Sequence, residues 1–304
     1  MSVHSPSTVT TAGTAAPTGG QGDPLHADRD TPLGGLPAAE RILLRRNAIE
    51  LAALEIRFTG RGDAPTAAHG LALRDAARTA GIALDRVEQA QRQDVSLTIT
   101  PGAGQTSTTE VARGWQLFSV DQRLAVTFMP DILIVQNTRY ERYSSSLGEV
   151  LAALLPAIVD TSAPDLVQRI GLRYINRLAD PTARTPAAWR DRIAPEALGL
   201  LNHSQFGEQI TSIQQQVELR LEGSSGALIR HGAFQDPSTQ GAYSYLLDVD
   251  VYDNSSEKFV PTAICDRARR LNRTSLSLFQ QLVLSAYRKT MDPYEPSDAT
   301  GESE

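Results

Sequence analysis

Three hundred and four residues suffice for one large domain or two ordinary ones, and a hydrophobic share of 41% is enough to form a core. The single cysteine, Cys265, excludes an internal disulfide framework and a multi-cysteine metal site. The net charge of −6 sits at the ends, with −5 over 292–304 and −2 over 1–36, so the body carries +1 and has no overall basic field to draw nucleic acid.

Residues 1–36 are rich in Ser, Thr, Gly, Pro and Ala and poor in large apolar side chains, which predicts a disordered leader. The alternation that ends in Leu54-Glu55-Ile56-Arg57-Phe58 predicts a strand over Ala48 to Phe58. Pro65 then opens a helix to about Thr79, stopped by Gly81, and a second short helix is expected over Leu84 to Gln91. Extended runs at Val95 to Thr100, Trp115 to Val120, Leu124 to Phe128 and Ile132 to Asn137, parted by turn residues, predict an antiparallel meander. From Ser144, the apolar positions Leu147, Val150, Leu151, Leu154, Leu155 and Ile158 fall at helical spacing.

The second half repeats that order. A strand over Val167 to Asn176 precedes a helix expected from Pro186 to about Leu201. Strands follow at Thr211 to Glu222, Ala227 to Phe234 and Tyr243 to Tyr252, and Pro261 opens a long helix to about Lys289. The expectation is an α+β fold of mainly antiparallel sheet with packed helices. Its two related lobes of strand, helix, meander and helix cover 37–160 and 161–290, with an acidic disordered tail over 291–304.

The stretch Arg169-Ile170-Gly171-Leu172-Arg173-Tyr174-Ile175-Asn176-Arg177 resembles the central motif of a sporadically distributed, uncharacterised prokaryotic protein family with an LRYINR-like strand. Glu55-Ile56-Arg57-Phe58 before it and Leu247-Asp248-Val249-Asp250-Val251-Tyr252 after it extend the resemblance over about 45–290. The resemblance implies a bacterial protein and a shared fold, and it carries over no catalytic residue.

On a strand, Arg173 and Arg177 share one face with Ile175, whereas Leu172, Tyr174 and Asn176 point the other way. The paired arginines suit a phosphate or carboxylate ligand, or else neighbouring carboxylates. Asp248 and Asp250 also share a face. With Glu218 they form a possible oxygen-ligand set for Mg²⁺ in phosphodiester hydrolysis, while a cross-strand charge ladder with Arg173 and Arg177 explains the same residues. Tyr140, Arg142, Arg139 and Tyr143 cluster in one loop, suited to a ligand, stacked bases or a protein partner, or to packing over the helix that follows. His69, His203 and His231 lack zinc-site spacing, Cys265 reads as a buried thiol, and Trp115 and Trp189 read as packing anchors.

No phosphate-binding loop, nucleophile elbow or dinucleotide fingerprint is present. The leading expectation is therefore a non-enzymatic, cytoplasmic binding or interaction protein. It needs no cofactor, has another protein as its partner, and suits a mobile-element, defence or toxin-neutralising role. A metal-dependent hydrolase using Asp248 and Asp250, and a nucleic-acid-binding protein, are the alternatives. No membrane association is expected.

Overall fold

The computed structural model describes residues 31–294 apart from 61–62 and 101–103, and over 94–110 it describes the backbone alone. The expected disorder of 1–30 and 295–304 lies outside the described residues.

The fold is α+β, a large antiparallel sheet with helices packed against it. Its strands are β2 (Ile49–Thr59), β3 (Arg86–Thr100), β4 (Gly104–Phe118), β5 (Leu124–Phe128), β6 (Ile132–Asn137), β7 (Leu166–Ala179), β8 (Gln215–Arg220), β9 (Ser225–Gln235) and β10 (Tyr243–Asp253). They lie in the order β3-β4-β5-β6-β2-β7-β10-β9-β8, and a two-residue strand, β11 (Glu257–Lys258), also pairs with β7. Each half starts at the sheet centre, with β2 beside β7, and its meander returns so that the last strand, β6 or β10, flanks the first. Helix α1 (Ala67–Thr79) follows β2, α2 (Glu149–Ser162) follows β6, and α3 (Pro261–Leu282) follows β10. They pack in the order α1, α2, α3, and α3 lies on β7 and β10.

Alternation decides which face is covered. Ala52, Leu54, Ile56 and Phe58 of β2, Ile170, Leu172 and Tyr174 of β7, and Tyr245, Leu247, Val249 and Val251 of β10 are buried in one core with Leu151, Leu155 and Ile158 of α2 and Ile264 and Leu271 of α3. The opposite parity of β2, β7 and β10 faces away from this core.

Four expectations are corrected. Residues 84–91 form no helix. Arg86 begins β3, whose pairing with β4 overrides the helix preference of Glu, Gln and Ala. Residues 186–201 form a chain of short turns, Pro186–Asp191, Pro195–Leu198 and Gly199–Asn202, because Pro195 cannot donate a helical bond and Gly199 adopts φ +51°. The long C-terminal helix breaks at Val283, which is extended and bridges Ile193, before a short helix α4 (Ser285–Thr290). The break is fixed by tertiary bonds from Ala194 N to Leu282 O (2.8 Å) and from Leu284 N to Arg192 O (2.9 Å), with no Gly or Pro to announce it.

The fourth correction concerns the ends. Leu33, assigned to the leader, is buried, and its N–H donates to Thr274 Oγ1 of α3 (2.9 Å). From there the chain straps α3: Ser277 Oγ donates to Pro37 O (2.7 Å), while Glu40 N donates to Gln280 Oε1 (2.9 Å) and Gln280 Nε2 returns to Glu40 O (2.8 Å). The strap ends in β1 (Leu43–Leu44), which pairs with β12 (Pro293–Tyr294), a segment assigned to the acidic tail. Among the described residues, no helix is long and apolar enough to cross a membrane.

Candidate functional site

The uncovered face of the sheet carries the arginine row. Arg173 donates from Nε to Asp248 Oδ1 and from Nη2 to Asp248 Oδ2, both at 2.7 Å, and Arg230 Nη1 reaches the same carboxylate at 3.4 Å. Arg177 bonds Asp236 (2.9 Å) and Glu50 rather than either strand aspartate. Asp250 faces Arg169 (3.5 Å), which also meets Glu55 (3.5 Å) and lies 4.7 Å from the centre of the Tyr252 ring. Tyr252 OH donates to Glu218 Oε1 (3.0 Å).

This is a ladder of cross-strand charge pairs, anchored by two carboxylates, Asp248 and Asp236, whose side chains are nearly fully buried. Hydrogen bonds, foremost from the Ser238 hydroxyl and also from Ser244 and Arg177, hold the Asp236 carboxyl well below the ordinary carboxylate range. Burial raises the Asp250 carboxyl against the opposing pull of Arg169 and Arg173. The three acids of the Mg²⁺ reading, Asp248, Asp250 and Glu218, are thus each engaged by a cation or a phenol. Among the described residues, no three His, Cys, Asp or Glu side chains are gathered to hold a metal ion.

The helix side of the sheet holds a different site. A cavity of about 400 Å³ opens between the centre of the sheet and α3, roofed by the strap. Tyr174, Asn176 and Val249 of β7 and β10 form its floor, Asn272, Ser275, Leu276 and Phe279 its α3 wall. The strap contributes Leu43 and Leu44, the start of β2 contributes Ile49, and Met291 also lines the cavity. The fourth side is the loop from β6 to α2, residues Tyr140 to Ser144, in which exposed Glu141, Arg142 and Ser144 form the rim.

That loop is held firmly. Asn47 Nδ2 donates to Tyr140 O (2.9 Å), Glu141 N to Ser146 Oγ (3.0 Å) and Ser146 N to Arg142 O (3.0 Å). It runs into a π turn, Ser144–Gly148, a wide turn often found at functional sites, which leads directly into α2. Inside, Tyr174 OH contacts Asn272 Oδ1 (2.9 Å) and Tyr140 OH (3.3 Å), and the two tyrosine rings meet edge to face at 5.2 Å. Burial pushes the Tyr140 phenol up to about 12 and raises those of Tyr143 and Tyr174 as well, so all three stay protonated and neutral. Asn176 donates to Leu247 O (3.0 Å), and its Oδ1 accepts no hydrogen bond among the described residues. Ser275 is 3% exposed, yet its hydroxyl has no partner among the described residues.

The four ligand-binding candidates therefore separate. Tyr140 and Arg142 line the cavity, while Arg173 and Arg177 lie on the opposite face of the sheet. Tyr140 and Tyr143 pack inward against the core, which removes the stacking platform that a nucleic-acid reading needs. Arg139 stays outside, 4.0 Å from Glu141. Tyr174, Asn176, Asn272 and Ser275 were missed as site residues, although a Tyr and an Asn at core-facing strand positions, and a serine on the core stripe of α3, are polar groups placed where burial demands a partner.

No protein-family model and no curated protein matches the chain.

The other candidates are structural. Cys265 is half-buried in α3, and burial raises its thiol pKa, the opposite of an activated cysteine. His69 caps α1, His203 stacks on Phe206 with ring centres 3.8 Å apart, and His231 Nδ1 lies 2.8 Å from Tyr245 OH.

Proposed function

We propose that this protein is a non-catalytic binding protein of the cytoplasm and that a small molecule occupies the cavity under the strap. The observation that carries the reading is the cavity itself. Its volume of about 400 Å³ falls in the range of small-molecule sites, its walls are mainly apolar, and a few fixed polar groups converge inside it. Leaving a buried hydroxyl such as Ser275 unpaired costs about 1–3 kcal/mol, which a ligand that bonds it recovers. The site gathers residues from the strap, both halves of the sheet and α3, so its shape depends on the whole fold.

Among the described residues no nucleophile–base pair accompanies these groups: the Tyr140 and Tyr174 phenols are neutral, and Asp248, Asp250 and Asp236 are paired with arginines on the other face of the sheet. The chemistry on offer is recognition by shape, hydrogen bonds and a cation at the rim.

A thermal-shift screen of apolar and amphiphilic small molecules tests this, comparing the wild type with Leu276→Trp, whose added bulk enters the cavity from α3. A ligand at a hundred times its Kd stabilises the native state by about 2.7 kcal/mol, which reads as a rise of several degrees in Tm. The expected result is such a rise in the wild type and its loss in Leu276→Trp. Equal shifts in both proteins, or no shift from any compound, would contradict the reading.

A further inference from the structure

The charges around the cavity define its ligand further, an inference that rests on the cavity being the binding site. Four arginines line it, Arg41, Arg142, Arg269 and Arg273, against one acid, Glu141. Glu141 faces Arg139, and Arg269 is taken by Asp266 at 3.1 Å. Arg41 and Arg273 have interactions of their own. Arg142 differs from all of these, because its side chain is exposed and makes no hydrogen bond or ion pair among the described residues.

Its backbone, by contrast, is fixed. The bonds from Ser146 N to Arg142 O and from Glu141 N to Ser146 Oγ clamp the loop on either side, so the backbone that carries the cation is already ordered at the rim and only the Arg142 side chain remains to be fixed on binding. Deeper in, Tyr140 and Tyr174, kept protonated by burial, and the amides of Asn176 and Asn272 supply neutral polar groups, and the half-buried Arg273 guanidinium acts on the Tyr140 phenol. Ile49, Val249, Leu276, Phe279 and Met291 supply the apolar wall. This apolar wall favours an apolar body, and among the described charged residues of the lining the exposed Arg142 at the entrance is the one whose side chain makes no hydrogen bond or ion pair.

We propose that the ligand is an apolar molecule ending in a carboxylate, with the carboxylate on Arg142 and the apolar body running inward over Val249 and Leu276. A guanidinium binds a carboxylate through paired N–H donors, which a neutral hydroxyl cannot match.

Isothermal titration of the full chain with decanoate and with 1-decanol at low ionic strength separates the two parts of this reading. The wild type is expected to bind decanoate about tenfold more tightly than decanol. Arg142→Met should weaken decanoate to the level of decanol and leave decanol binding unchanged, a split that general loss of structure would not produce. If wild-type protein binds both compounds equally, or Arg142→Met preserves the preference, the carboxylate class is wrong while cavity binding stands. Should neither compound bind the wild type, the ligand class and the cavity reading both fail.

Discussion

Gly232→Ala is expected to be among the most destabilising single substitutions in this protein. A Cβ on Gly232 would lie 1.9 Å from Ile213 O, 2.8 Å from Ile213 C and 2.9 Å from Gln214 Cα. All three are backbone atoms, so no side-chain rotation relieves the clash. Moving that segment breaks the bond from Ile213 N to Ala233 O and displaces the start of β8, which pairs with β9 from Gln215 to His231 onward. Overpacking that has to be relieved by backbone shifts costs roughly 3 kcal/mol or more. Gly223→Ala provides the contrast: its φ of +53° is unfavourable to alanine, but nothing lies within 4 Å, and the expected cost is about 1 kcal/mol. Urea denaturation followed by circular dichroism measures both. Similar midpoints for the two variants would show that the β8 entry segment is more pliable than its bonding implies.

Trp189→Ala is expected to cost about 3–5 kcal/mol, the range for removing a buried large aromatic. The indole is fully buried, with ring centres 5.4 Å from Tyr245 and 5.6 Å from Tyr287, and its Nε1 donates to Tyr243 O (3.1 Å). It thereby joins three parts of the chain, the turns of 186–191, β10 and α4. Truncation opens a large void and strands the Tyr243 carbonyl. The same urea experiment reads it, with Trp189→Phe expected to retain much of the packing but not the hydrogen bond. A loss below about 1 kcal/mol for the alanine variant would mean that the turn region collapses onto the gap.

Strands carry a period of two, and that period marks them in the sequence. Leu124–Phe128 and Ile132–Asn137 stand where alternation and turn residues place them, and β7, β9 and β10 differ from expectation only at their ends. The errors arise where distant parts of the chain decide local structure. Residues 84–91 are helix-compatible until β4 pairs with them, and the break at Val283 exists because Ile193 bridges it from 90 residues away. The short strap strands have no pattern of their own, since Leu43–Leu44 becomes a strand only by meeting Pro293–Tyr294.

The candidate site was half legible for a related reason. Alternation separates Arg173 and Arg177 from Tyr174 and Asn176, but it does not say which side the helices cover. Charge marks the arginines in the sequence, and in the fold they are satisfied by Asp248, Asp236 and Glu50 on the open face. The cavity belongs to the other parity, where Tyr174 and Asn176 stand among apolar neighbours. Tyr140 and Arg142 were found because aromatic and cationic residues cluster in a loop. The strap that closes the site could not be found, because nothing in 37–48 marks a roof.

Ligand is expected to bind on the helix side of the sheet. Methyl-resolved NMR of protein labelled at Ile, Leu and Val, titrated with decanoate, tests it most directly. Ile49, Val249 and Leu276 line the cavity, whereas Ile175 and Leu246 lie on the arginine face. Binding under the strap shifts the first three methyl groups saturably and leaves the last two unmoved. Shifts confined to Ile175 and Leu246 would place recognition on the open face, and that result, or the absence of any saturable shift, would rule out ligand binding under the strap.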